Sequence, residues 1–158
     1  MASIFDKQGP LSHRQLVTVA QRRFEDAEAL CDTEQNARAN GAQYLCGFVV
    51  QILLKAQLIL WNPSIANRRS QEGMSEDERE TWSLIFRSHD LGEMFARLPD
   101  LKKKVENHGK RTGKPLLEQL LEICSTWTIY VRYSTLTTKM HDARRFLERV
   151  RGLKEVLK

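Results

Sequence analysis

Residues 41–61 read GAQYLCGFVVQILLKAQLILW, and the fold turns on how this stretch is read. From Tyr44 to Trp61 only Gln51, Lys55 and Gln57 are strongly polar, and this run just reaches membrane-spanning length. Aliphatic gains of a few tenths of a kcal/mol each, set against a lysine penalty of about 2.5–3.5 kcal/mol, leave insertion marginal. The flanking sequence favours the other solution. Several amphipathic helices lie around the stretch, and their apolar faces need a central partner, so 41–61 is expected to be the core helix of a soluble bundle with no membrane contact. Its polar residues are ordered as well. Gln43, Gly47, Gln51 and Lys55 recur every four residues and form one narrow stripe, with Gly47 admitting close backbone approach. The stripe is read either as a face meeting solvent or a second subunit, or as the wall of a binding groove.

Upstream, LSHRQLVTVAQRRFEDAEALC (11–31) begins with Ser12 and Gln15 in capping-box spacing and sets Leu16, Ala20, Phe24, Ala27 and Cys31 on one face. Downstream, NPSIANRRSQEGM (62–74) reads as an exposed loop. Ser75 and Glu78 form a second capping box opening a helix with Trp82, Ile85 and Phe86 inward. Ser88 is expected to cap HDLGEMFARL (89–98), with Asp90 in its first turn and Pro99 ending the pattern. KKKVENHGKRTGKP (102–115), with two glycines and a terminal proline, reads as a mobile basic loop with at most a short helical start. Pro115 then opens a helix expected to bury Leu117, Leu120, Leu121 and Cys124. Trp127, Ile129 and Val131 alternate through STWTIYVRY (125–133), which fits a short extended piece or a helix continuation. A last helix, from about Thr138 to Leu157, places Met140, Ala143, Phe146 or Leu147, Val150, Leu153 and Leu157 on one side.

The 158 residues suit one domain over 1–158, 41% hydrophobic and 28% charged, large enough to fold without disulfides or metals. The net charge of +5 is unevenly placed. Six Lys or Arg face two acids between Asp100 and Pro115, and eight face three between Arg132 and Lys158. Such patches suit phosphate backbones or acidic partners. Cys31, Cys46 and Cys124 sit singly in apolar stretches and read as small buried hydrophobes of a reducing compartment; the cytoplasm is expected. No H-x3-H pair, Walker loop, G-x-G-x-x-G or G-x-S-x-G occurs, so neither metal nor cofactor is expected.

Three stretches in order carry a family resemblance: AQYLCGFVVQILLKAQL (42–58), SHDLGEMFARL (88–98) and WTIYVRYSTLTTKMHDARRFLERVRGL (127–153). Together they resemble the HEPN family, small all-α domains of prokaryotic defence, toxin–antitoxin and nucleotidyltransferase-associated proteins. The resemblance implies an all-α, up-and-down bundle of four to five helices that pairs into a homodimer. It also implies RNA or a nucleotide as ligand, or a protein partner such as a nucleotidyltransferase. Many members are metal-independent ribonucleases using Arg and His in the pattern R-x4-6-H, the histidine moving a proton and the arginine steadying phosphate charge. Other members lack the pattern and serve in binding or regulation.

The candidate pair here is Arg132 and His141, and it departs from the pattern, with eight residues between the two. On a continuous helix nine steps of about 100° put the two side chains on opposite faces, so they converge only if YSTLTTK (133–139) turns back. The structural alternative is an ion-paired arginine and a histidine near a helix start. Family architecture groups Lys55, His89 and Asp90 around a pocket between helices, with Tyr133 as a further pocket candidate. Local sequence instead makes His89 and Asp90 a helix start and Tyr133 a core aromatic. Lys102, Lys103, Lys104, Lys110, Arg111 and Lys114 are the nucleic-acid-contact candidates; the plain alternative is a solvated basic run. The expected function is a nucleic-acid- or nucleotide-linked binding or regulatory module of a defence or toxin–antitoxin system. The alternatives are a ribonuclease with shifted Arg/His spacing, or a structural helical partner.

Overall fold

The computed structural model describes residues 11–158, with only the backbone of Arg132, and its regular structure is all helical, with no strand among these residues. The α-helices are α1 (His13–Asp32), α2 (Ala39–Trp61), α3 (Pro63–Ala66), α4 (Glu76–Phe86), α5 (Leu91–Ala96), α6 (Pro99–Thr112), α7 (Leu116–Thr126) and α8 (Met140–Leu157). Short 3-10 turns lie at Asn36–Arg38 and Ile129–Tyr133.

The centre is α2. Val49, Val50, Leu53, Leu54, Ala56 and Leu58 lose all or nearly all contact with water, and 67% of its most apolar window is buried within the fold. It is the one helix among the described residues long and apolar enough to cross a membrane, but the other helices cover it, as expected of a core helix. Helix α1 packs along it through Ala20, Phe24, Ala27 and Cys31, starting from the expected Ser12–Gln15 capping box. Helix α8 closes the main layer, parallel to α2. Asn36 Oδ1 accepts from the Met140 backbone N–H at 2.9 Å at one end, and Gln57 Nε2 donates to the Leu157 carbonyl at 2.9 Å at the other. Relative to α1, α8 is antiparallel: Arg144 reaches the Cys31 carbonyl and Glu34 at 3.1 Å, while Arg151 meets Glu28 at 2.7 Å. Each fully buried Leu or Phe of this core contributes about 1.5–3 kcal/mol.

A second layer of α4 to α7 covers one side of α2 and α8, and here the sequence expectations need correction. Residues 102–115 are not a loop: α6 continues to Thr112. Leu98, Leu101, Val105 and Gly109 are buried at helical spacing, Pro99 starts this helix instead of merely ending the previous one, and Lys110 and Arg111 complement its C-terminal dipole. The stop is Gly113, at φ 67°, where a left-handed residue closes the last turn. Ser88 does not cap α5; Asp90 does, accepting from the Glu93 N–H at 2.9 Å, which leaves His89 outside the helix. In α7 the buried residues are Leu116, Leu120 and Ile123, while Leu117 and Cys124 are half-buried and Leu121 is exposed. The 62–74 stretch is turns plus the one-turn α3. The bundle therefore has six helices of eleven residues or more among the described residues, against an expected four to five.

Candidate functional site

The four-residue stripe of α2 is buried at Gly47 and Gln51 and half-buried at Gln43 and Lys55. At its start Gln43 Oε1 accepts from Thr138 Oγ1 at 3.4 Å. At Gly47 the indole of Trp127 presses on the helix backbone: a Cβ there would lie 2.1 Å from the Trp127 Nε1. Tyr44 flanks the same indole at 6.0 Å between ring centroids. Trp127 is 6% exposed, and its N–H lies buried without an acceptor. One turn on, buried Gln51 places Nε2 2.9 Å from His89 Nδ1, while its Oε1 has no partner. Lys55 follows, half-buried and without an ion pair among the described residues, and burial pushes its ammonium pKa down to about 8.

The four pocket candidates thus part company. His89 and Lys55 both adjoin Gln51, Asp90 turns into its cap, and Tyr133 stands exposed on the 3-10 turn and not in the core. Sequence reasoning missed Gln51 and Trp127 as the contact points of this stripe; the available signal was Gly47, which admits a close neighbour without saying which.

A groove of about 370 Å³ opens between α7, the Ile129–Tyr133 turn and α8. Ile123, Trp127, Val131 and Phe146 form its apolar surface, and Gln43 reaches it from α2. Four charged residues line it. Glu122 and Arg149 neutralise each other at 2.9 Å, whereas Asp142 and Arg145 have no Lys, Arg or acid partner among the described residues. Asp142 is 3.4 Å from His141 Nδ1.

Within YSTLTTK, residues 134–138 bend around the side chain of Asn40. The Asn40 side chain donates to the carbonyls of Ser134 (3.4 Å) and Leu136 (2.6 Å) and accepts from the Thr138 N–H (3.1 Å), so the loop is wound around one amide. His141 emerges in the first turn of α8, exposed, with Asp142 as its neighbour. The backbone of Arg132 lies in the 3-10 turn, while its side chain lies outside the described residues.

The six basic candidates all project from α6 or the turn after it, and all are exposed. Lys103 pairs with Asp100 at 3.7 Å and Lys110 with Glu106 at 2.8 Å. Arg111 hydrogen-bonds His108 Nδ1 at 2.8 Å, and Lys102, Lys104 and Lys114 carry no ion pair among the described residues. The three cysteines are buried or half-buried, and burial raises their thiol pKa values, that of Cys124 to about 12, so none is primed as a nucleophile at neutral pH. No cluster of His, Cys, Asp or Glu suited to a metal ion occurs among the described residues. Comparison of the chain with protein-family models, with curated proteins and with solved structures gives no match.

Proposed function

We propose that the chain is a helical regulatory module of HEPN type that binds RNA through the outer face of α6 and does not cleave it. One observation carries this reading: six cations stand exposed on α6 and its following turn, opposite a buried Leu101–Val105–Gly109 face, and only two are offset by acids. A rigid helix presents these charges at fixed spacing, so fewer degrees of freedom are lost on meeting a phosphate backbone than a mobile loop would lose. Each phosphate neutralised releases counterions, which makes the affinity steeply salt-dependent.

The test is titration of labelled single-stranded RNA in chelator between about 50 and 200 mM salt. With three or four phosphates engaged, log K falls against log salt with a slope of about −2 to −3, and Lys104→Glu with Arg111→Glu flattens it. Absence of binding, or binding that ignores both salt and charge reversal, overturns the reading. A second reading is ribonuclease action by Arg132 and His141, for which the hydrogen bonds that hold residues 134–138 to Asn40 speak. Cleavage in the same tubes, abolished by both Arg132→Ala and His141→Ala, would replace the non-catalytic reading with this one.

A further inference from the structure

The groove between α7, the 3-10 turn and α8 contains none of the α6 cations, and its rim is balanced in charge. We infer that it binds a free α-amino acid with an apolar side chain: the carboxylate at Arg145, the ammonium at Asp142, and the side chain against Phe146 and Val131. The charges come first. Glu122 of α7 and Arg149 of α8 neutralise each other at 2.9 Å. Arg145 has neither an ion pair nor a hydrogen bond among the described residues, and the Asp142 carboxylate meets only the His141 ring there, at 3.4 Å. One cation and one anion are thus left open, three residues apart on one helix, where side chains start about 5–6 Å from each other.

This arrangement selects a zwitterion. A ligand of net negative charge meets Asp142 as well as Arg145, a polyamine meets Arg145 as well as Asp142, and an uncharged ligand leaves both to water. An α-amino acid carries both charges on one carbon, so it bridges two side chains that do not pair with each other, and both of its contacts are charge-assisted. The apolar side of the groove then sets the ligand's side chain. Ile123 and Trp127, 3% and 6% exposed, close the back, and half-buried Phe146 and Val131 are the surface left for contact. An aliphatic or thioether chain covers that surface without needing a free ring face to stack on. About 370 Å³ lies at the small end of ligand-site volumes, which suits one amino acid. In a peptide the two charges sit on different residues and no longer converge on side chains three residues apart.

The experiment is calorimetric titration of the full chain with leucine, methionine and glycine. N-acetylleucine, which lacks the ammonium, leucinamide, which lacks the carboxylate, and leucyl-leucine are the comparison ligands. Saturable binding of leucine or methionine, at least tenfold weaker for glycine and for each comparison ligand, supports the site. Two variants assign its ends. Arg145→Gln weakens leucine at least tenfold and leaves leucinamide unchanged, because leucinamide has no carboxylate to lose a partner. Asp142→Asn weakens leucine at least tenfold and leaves N-acetylleucine unchanged. Both side chains are exposed, so the variants keep the fold. No saturation by leucine or methionine up to millimolar concentration overturns the inference. So does binding of a comparison ligand as tight as that of leucine, or full leucine affinity in either variant. Lys104→Glu with Arg111→Glu leaves leucine binding unchanged, so failure of the α6 reading and failure of this one are told apart.

Discussion

Gly47→Ala tests the joint that holds the groove to the core. In the native chain the added methyl would lie 2.1, 2.2 and 2.3 Å from Nε1, Cδ1 and Cε2 of Trp127, where ordinary contact begins near 3.4 Å. The indole would have to withdraw by more than 1 Å, yet it is rigid, 6% exposed and flanked by Tyr44. Overpacking of this kind costs about 1–3 kcal/mol, and a rigid ring against helix backbone belongs at the upper end. Alanine returns about 0.5–1 kcal/mol through its better helix propensity. The expected net loss is about 1–2 kcal/mol, a fall in Tm of roughly 2–8 °C for a chain of this size. Urea denaturation measures it, and Trp127→Leu in the same chain provides the control. Gly47→Ala in a Trp127→Leu background should cost less than in the wild type, giving a coupling energy of about 1 kcal/mol or more. A Gly47→Ala variant as stable as the wild type would refute the argument, because no contact with the ring would then be limiting.

Further outcomes are expected at neighbouring positions. Lys55 has a folded pKa near 8 against an unfolded value of 10.5, so the unfolded chain holds more protons between these values. Stability therefore rises as pH goes from 8 to 10.5. Lys55→Met should abolish that rise and add about 1–3 kcal/mol at pH 7, as read by urea midpoints at pH 7 and pH 10. Asn40→Ala removes three hydrogen bonds to residues 134–138 and should speed amide exchange of Thr138 and its neighbours while leaving α1 protected. Gln57→Leu leaves the Leu157 carbonyl without its buried donor and should cost about 1–3 kcal/mol by thermal unfolding.

How far the sequence could be read depended on whether a signal was local. Both capping boxes, at Ser12 and Ser75, appear as expected because each is closed within three residues of chain. The core role of α2 was legible because the amphipathic helices around its apolar run need a central partner. Helix α6 was misread since its Lys and Gly composition resembles a loop, while the evidence for helix is a sparse Leu98–Leu101–Val105–Gly109 repeat that gains its meaning only against α7 and α8. Ser88 and Asp90 both suit a cap, and burial of Leu91 and Met94 selected the register that uses Asp90.

The candidate sites divide the same way. The six cations of α6 could be counted from sequence, but their rigid presentation could not. The stripe Gln43–Gly47–Gln51–Lys55 was visible as a period, whereas its partners Thr138, Trp127 and His89 lie 95, 80 and 38 residues away. By itself the sequence determined an all-helical chain organised on residues 41–61, since helix periodicity and caps are short-range properties. Tertiary structure alone decided that the glycine of that helix seats a tryptophan, that residues 134–138 wind around Asn40, and that Asp142 and Arg145 border a groove. Those juxtapositions come from packing between distant segments, and the spacing of residues along the chain carries no record of them.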